Sequence, residues 1–158
     1  MSKIARFAIT LVAALLSVSG CAPAKAPFVT VQFCVRNRAG MAQLIANLKE
    51  IANANHMDFA DSSAYTEKDL AAVGYRGRER RDGSPVLSVG LLGKDGLFVG
   101  GGNLGLPGYQ VQLGFTKGSD DAEAHRFAAQ VISQLRQQWQ QLNILPRGAA
   151  AKPMADCR

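Results

Sequence analysis

Between positions 109 and 142 the hydrophobic period changes once, and that change sets the fold class. Tyr109, Val111, Leu113 and Phe115 alternate with Gln110, Gln112, Gly114 and Thr116, which is the spacing of a strand with one buried face. Soon afterwards Ala124, Phe127, Ala128, Val131, Leu135, Trp139 and Leu142 recur at helical spacing. They place one apolar stripe on a helix that Ser119 or Asp120 caps and that runs to about Leu142. Asp120, Asp121 and Glu123 stand at the end of the helix dipole that favours acids. A one-faced strand and a one-striped helix bury their apolar sides together only by stacking helix on sheet.

The same two periods occur earlier in the chain. Val29, Val31, Phe33 and Val35 alternate with Thr30, Gln32, Cys34 and Arg36, giving a strand over 28–36 with Cys34 on the face away from the apolar row. Met41, Leu44, Ile45, Leu48, Ile51 and Ala52 form the stripe of a helix over 40–55, with Asn53, Asn55 and His56 as stop signals. Weaker signals fill the middle. Met57 to Ser62 reads as a short strand, and Thr66 with Asp69 as a helix start that Gly74 ends. Strands over 85–92 and 97–101 are joined by Lys94-Asp95-Gly96, a hairpin signal because Asp-Gly tolerates positive φ. The expected fold is α+β with two layers: a mostly antiparallel sheet of four or five strands, with two amphipathic helices on one face. A right-handed crossover through the first helix is expected if the first two strands are parallel. A single domain spans 28–146, and the tail 147–158 carries no apolar period.

The first residues follow a different logic. Lys3 and Arg6 precede an apolar run from Phe7 to Leu16, broken only by Thr10, and small residues Ser17, Ser19 and Gly20 follow. This is the three-part layout of a secretory signal peptide. The run is shorter than the roughly 20 apolar residues that a membrane-spanning helix needs. Val18-Ser19-Gly20-Cys21 resembles the lipobox of bacterial lipoproteins. The resemblance covers residues 1–21. It implies that residues 1–20 are removed as a signal peptide and that Cys21 is acylated, with chains such as palmitate, and becomes the membrane anchor. Two or more acyl chains suffice for lasting attachment. Position 22 is alanine and not the aspartate that retains many such proteins at the inner membrane. The resemblance therefore implies the outer membrane, periplasmic face. Residues 21–27 are then the acylated cysteine and a short tether, whose six residues after Cys21 reach ~19 Å at roughly 3.1 Å each.

Without the leader, 138 of the 158 residues remain, enough for one domain with a real core. Two basic residues leave with it, so the formal charge falls from +6 to about +4. That mild excess suits an anionic surface or an acidic partner. Nucleic acid is not an expected partner, because no basic stretch is interleaved with aromatics.

Cys34 and Cys157 remain beside Cys21. In an oxidising compartment they are expected to form a disulfide, which would also pin the tail; two separate thiols are the other reading. Gly100-Gly101-Gly102-Asn103-Leu104-Gly105 matches a dinucleotide-binding string. A strand, not a helix, is expected to follow it, so the string reads as a loop, bulge or bend, or as a glycine-rich lip over a groove. His56 and His125, the only histidines, lack metal-site spacing. No metal, cofactor or catalytic residue is expected. Arg76, Arg78, Arg80 and Arg81 crowd one short segment with Glu79 and Asp82. It is either a solvated charge run or a contact surface for an acidic partner or lipid phosphate. The function expected is that of a non-enzymatic protein-binding module: an inhibitor or immunity protein, or an accessory factor of an envelope machine. A structural or assembly lipoprotein touching lipid, or a small hydrolase with an unrecognised site, are the alternatives. The partner expected is another envelope or exported protein.

Overall fold

The computed structural model describes residues 26–74 and 84–157. The elements in chain order are β1 (Val29–Cys34), α1 (Arg38–Ala54), β2 (Asp58–Asp61), α2 (Ser63–Ala72), β3 (Ser88–Leu92), β4 (Phe98–Gly102), β5 (Gln110–Thr116), α3 (Asp121–Gln138) and β6 (Asn143–Leu145). The leader, Cys21 and the arginines at 76, 78, 80 and 81 lie outside the described residues.

One sheet holds all six strands in the order β2-β3-β4-β5-β1-β6, every neighbouring pair antiparallel. The alternation makes β1 and β2 parallel, so α1 crosses over the three strands between them. It also makes β5 and β6 parallel, with α3 crossing over β1. β3, β4 and β5 form the expected meander. The α+β class holds, with six strands in place of four or five.

Register explains the core. Val31 faces Leu113, Phe33 faces Val111, Val99 faces Phe115 and Leu91 faces Val99. These side chains share one face with the stripes of α1 and α3 in a single buried cluster. Both amphipathic helices therefore pack on the same side of the sheet. Asn37 caps α1 by accepting a hydrogen bond from the Gly40 N–H at 2.8 Å, so the helix starts earlier than its apolar stripe. Asp120 caps α3 by accepting from the Glu123 N–H at 2.9 Å.

Two elements depart from expectation. The third helix, α2, spans ten residues and begins at Ser63, ahead of Thr66. It buries no residue, so it had no apolar period to find. At the other end α3 stops at Gln138, and the chain leaves the helix at Trp139. The Trp139 ring packs against Phe33 with centroids 5.3 Å apart. Trp139 and Leu142 are buried as expected, but from beyond the helix, and the residues after them pair with β1 as β6.

The tail is the larger surprise. Gln110 belongs to the polar row of β5, yet it is 0% exposed. Its side-chain amide donates to the Lys152 carbonyl at 2.7 Å and its side-chain oxygen accepts from the Met154 N–H at 2.8 Å. Gln32 accepts from the Lys152 N–H at 3.1 Å. The tail thus lies across the outer face of β1 and β5. It ends in a 3-10 turn, Ala155–Cys157, where Cys157 meets Cys34 as a disulfide pair with Cα atoms 5.3 Å apart. Met154, Cys34 and Cys157 make a second, small buried cluster. The bridge closes a separation of 123 residues, for which chain entropy gives a stabilisation of about 4–5 kcal/mol. Replacing both cysteines with serine is expected to lower unfolding stability in urea by about 2–5 kcal/mol. It should also make the peptide after Pro146 the first site of proteolytic cutting, and unchanged stability and cutting would contradict a pinned tail.

Candidate functional site

The tail covers only part of the outer face. Over β3, β4 and the far side of β5 the sheet stays open, and the reason is glycine. Gly90 pairs with Gly100, and Gly100 with Gly114. A row of three residues without side chains therefore crosses three strands. The next row is Ser88, Gly102 and Gln112. Their floor opens into a groove of about 450 Å³ lined also by Pro27, Phe98, Leu104 and Leu106.

Phe98 lies over this floor. A Cβ on Gly90 would come within 3.0 Å of the Phe98 ring, and one on Gly100 would overlap it. The ring covers the bare peptide groups of both strands, the contact by which aromatics compensate for glycine in sheets. Pro27 does the same over Gly114, whose Cβ would stand 3.1 Å from the Pro27 ring. Phe98 keeps 38% of its surface exposed, Leu92 51% and Leu104 45%. Phe98 and Leu92 are register partners on the outer face, so the apolar surface is continuous along that side of the groove.

Asn103 holds the end of the groove together. It is 3% exposed. Its side chain accepts from the Leu87 N–H at 2.8 Å and donates to the Pro85 carbonyl at 2.8 Å. It thereby continues the ladder between β3 and β4 one step beyond the last strand pair. The glycine string that resembles a dinucleotide site is thus the end of β4, a capping asparagine and a turn into β5. No helix opens after it. Sequence reading suggested the glycine lip but missed Asn103, since an asparagine inside a glycine-rich turn carries no separate signal. Asn103→Ala orphans the buried Leu87 N–H, at about 1–3 kcal/mol, and leaves the part-buried Pro85 carbonyl without this donor. A drop in the unfolding midpoint with loss of protection at the Leu87 amide is the expected result in hydrogen exchange.

The histidines stand elsewhere. His56 has φ 54° and sits one residue past the C-cap of α1. The Met57 N–H reaches back to the Ala52 carbonyl at 2.9 Å, the bond of a helix ended by a left-handed residue. His56 lines a second concavity of about 500 Å³ with Asp95, Ser119, Asp120, Glu123 and Arg126. Its unusual backbone is accounted for by the helix stop. His56→Gly is expected to raise stability by about 0.5–1 kcal/mol, and a loss of stability would mean that the imidazole makes a contact beyond this cap. His125 is exposed and stacks edge-on to Phe28 at 4.5 Å, with the Lys117 ammonium 5.5 Å from the same ring. Lys117 also binds Asp121 at 2.6 Å and holds that carboxyl below its ordinary value. Among the described residues no group of three or more His, Cys, Asp or Glu side chains gathers to hold a metal ion. No helix among them is long and apolar enough to cross a membrane.

The sequence-derived site residues are thus distributed. Cys34 and Cys157 come together; Cys21 and the four arginines at 76, 78, 80 and 81 fall outside the described residues. Neither a family model nor a curated protein matches this chain.

Proposed function

We propose that this chain is a periplasmic lipoprotein, anchored by an acylated Cys21, whose domain is a non-enzymatic binding module. The observation that carries the reading is the half-open sheet. One half of the outer face is closed by a pinned tail, while the other presents a glycine floor between exposed apolar side chains. Folded domains seldom leave a concave apolar surface uncovered without a use for it.

The short tether supports a partner at the same membrane. With Cys21 acylated, the six residues up to Pro27 hold the domain within ~19 Å of the anchored sulfur. Ala22 in place of aspartate supports the outer membrane. The partner is another envelope or exported protein, in the manner of an inhibitor, an immunity protein or an accessory factor of an envelope machine. A second reading, contact with lipid itself, is favoured by one observation: Pro27, where the tether joins the domain, is part of the groove wall.

The reading is tested by in-cell crosslinking of the intact protein, followed by capture and mass spectrometry. One stoichiometric partner is expected. Gly100→Val should weaken its capture, because a side chain there meets the Phe98 ring and disturbs the open face that sets how the domain is presented. Cys21→Ser should move the protein out of the membrane fraction. Capture unaffected by Gly100→Val would remove the groove from the account, and a Cys21→Ser protein still held by membranes would remove the anchor.

A further inference from the structure

We infer that the open half of the sheet is the face this domain lays against the bilayer that holds its own anchor, with Phe98, Leu92 and Leu104 entering the lipid interface. The inference rests on the acylated Cys21 of the proposed function and names the occupant of the groove as the surface of an anionic phospholipid membrane.

The first observation is where the tether leaves. Pro27 stands on Gly114 on the outer face and lines the groove, and the next residue is fixed to β5 by the Phe28 N–H to Phe115 carbonyl bond at 2.8 Å. The chain therefore departs from the open face of the sheet and not from the helical side. Only Ala22 to Ala26 lie between Pro27 and the acylated residue, a reach of ~16 Å at roughly 3.1 Å per residue. A tether of that length keeps the face it leaves from turned toward the membrane and gives it an effective concentration on the order of millimolar. A contact too weak to bind a free domain then suffices.

The second observation is the chemistry of that face. Phe98, Leu92 and Leu104 are among the large apolar side chains most exposed to solvent; Phe98 and Leu104 line the groove and Leu92 is the register partner of Phe98. The side chain of Lys152 is exposed while its backbone is tied to Gln110 and Gln32 on the adjoining part of the same face. With residues 1–20 removed, the chain carries a net positive charge. Among the described residues, Asp58, paired with Leu92 on the edge strand β2, is an acidic neighbour that lies far from Pro27 on β5, and Asp95 stands with Lys94 in the turn between β3 and β4. Exposed apolar residues beside a lysine, on a chain of net positive charge, suit a surface that settles into an anionic interface. The polar flanks of α1 and α3 then face the periplasm, where a protein partner would meet them.

The test uses the full chain, made with its own leader, reconstituted into vesicles of phosphatidylethanolamine and phosphatidylglycerol. Flotation reads the anchor. Hydroxyl-radical labelling reads the orientation, with Tyr65, Val73 and Ile144, exposed outside the groove, as internal references. Floating protein should label at Leu92, Phe98 and Leu104 several-fold less than their exposure warrants against those references. The double variant Phe98→Asp, Leu104→Asp should still float but regain labelling at Leu92; both sites are solvent-exposed, and circular dichroism checks that the fold survives. Equal Leu92 labelling in both proteins would overturn the orientation and leave the anchor standing. Protection seen in native envelopes but not in pure vesicles would assign the groove to a protein and overturn it as well. Failure to float would overturn the anchor, and the orientation with it.

Discussion

Burial of the central β1–β5 pair from both sides is the constraint on which the rest of the structure depends. An antiparallel sheet ordinarily covers one face and wets the other. Here the helices cover one side of β1 and β5, and the tail around Lys152–Cys157 covers the other side of β1 and the Gln110 end of β5. The polar row of these strands would be left dry and unsatisfied under such a cover unless the cover bonded to it. It does so through backbone: Gln110 and Gln32 meet the N–H and carbonyl groups of Lys152 and Met154. A glutamine side chain matches a peptide group in donor and acceptor, so two of them bind an extended segment much as a neighbouring strand would. The Cys34–Cys157 pair then fixes the end of that segment.

How far the fold was legible follows from this. Every element with an apolar period was readable: β1, α1, β5 and α3 each bury a regular row. The hairpin between β3 and β4 was marked by Asp95-Gly96. What was read in part or missed lacked a period. Helix α2 buries nothing, so capping signals marked its place but put its start at Thr66 and not Ser63, and β6 is three residues whose pairing is fixed by its neighbour β1. The tail is held by glutamines that look solvent-facing in an alternating strand, so its path depends on contacts more than a hundred residues apart for Gln32 and Lys152. The cysteine pair alone hinted that the tail was tied down.

The groove was half legible. Glycines at 100, 101 and 102 pointed to a bend or a lip, and their actual role comes from register. Gly90, Gly100 and Gly114 are far apart in sequence and aligned in space, a coincidence no local motif encodes. Gly101 is equally constrained, since a Cβ there would run into the Gln112 carbonyl of β5. The sheet is closed on one half by its own tail and open on the other. Pro27, just ahead of β1, stands on the open half.

The claim that the open half of the sheet is the working surface is tested most directly in growing cells, with a photoreactive residue at position 98 or at position 144. Both positions are exposed apolar sites on strands, Phe98 in the groove and Ile144 on the edge strand. The account expects crosslinked adducts from position 98 and few from position 144. Adducts from position 144 with none from position 98 would contradict it, and would move the working surface to the sheet edge.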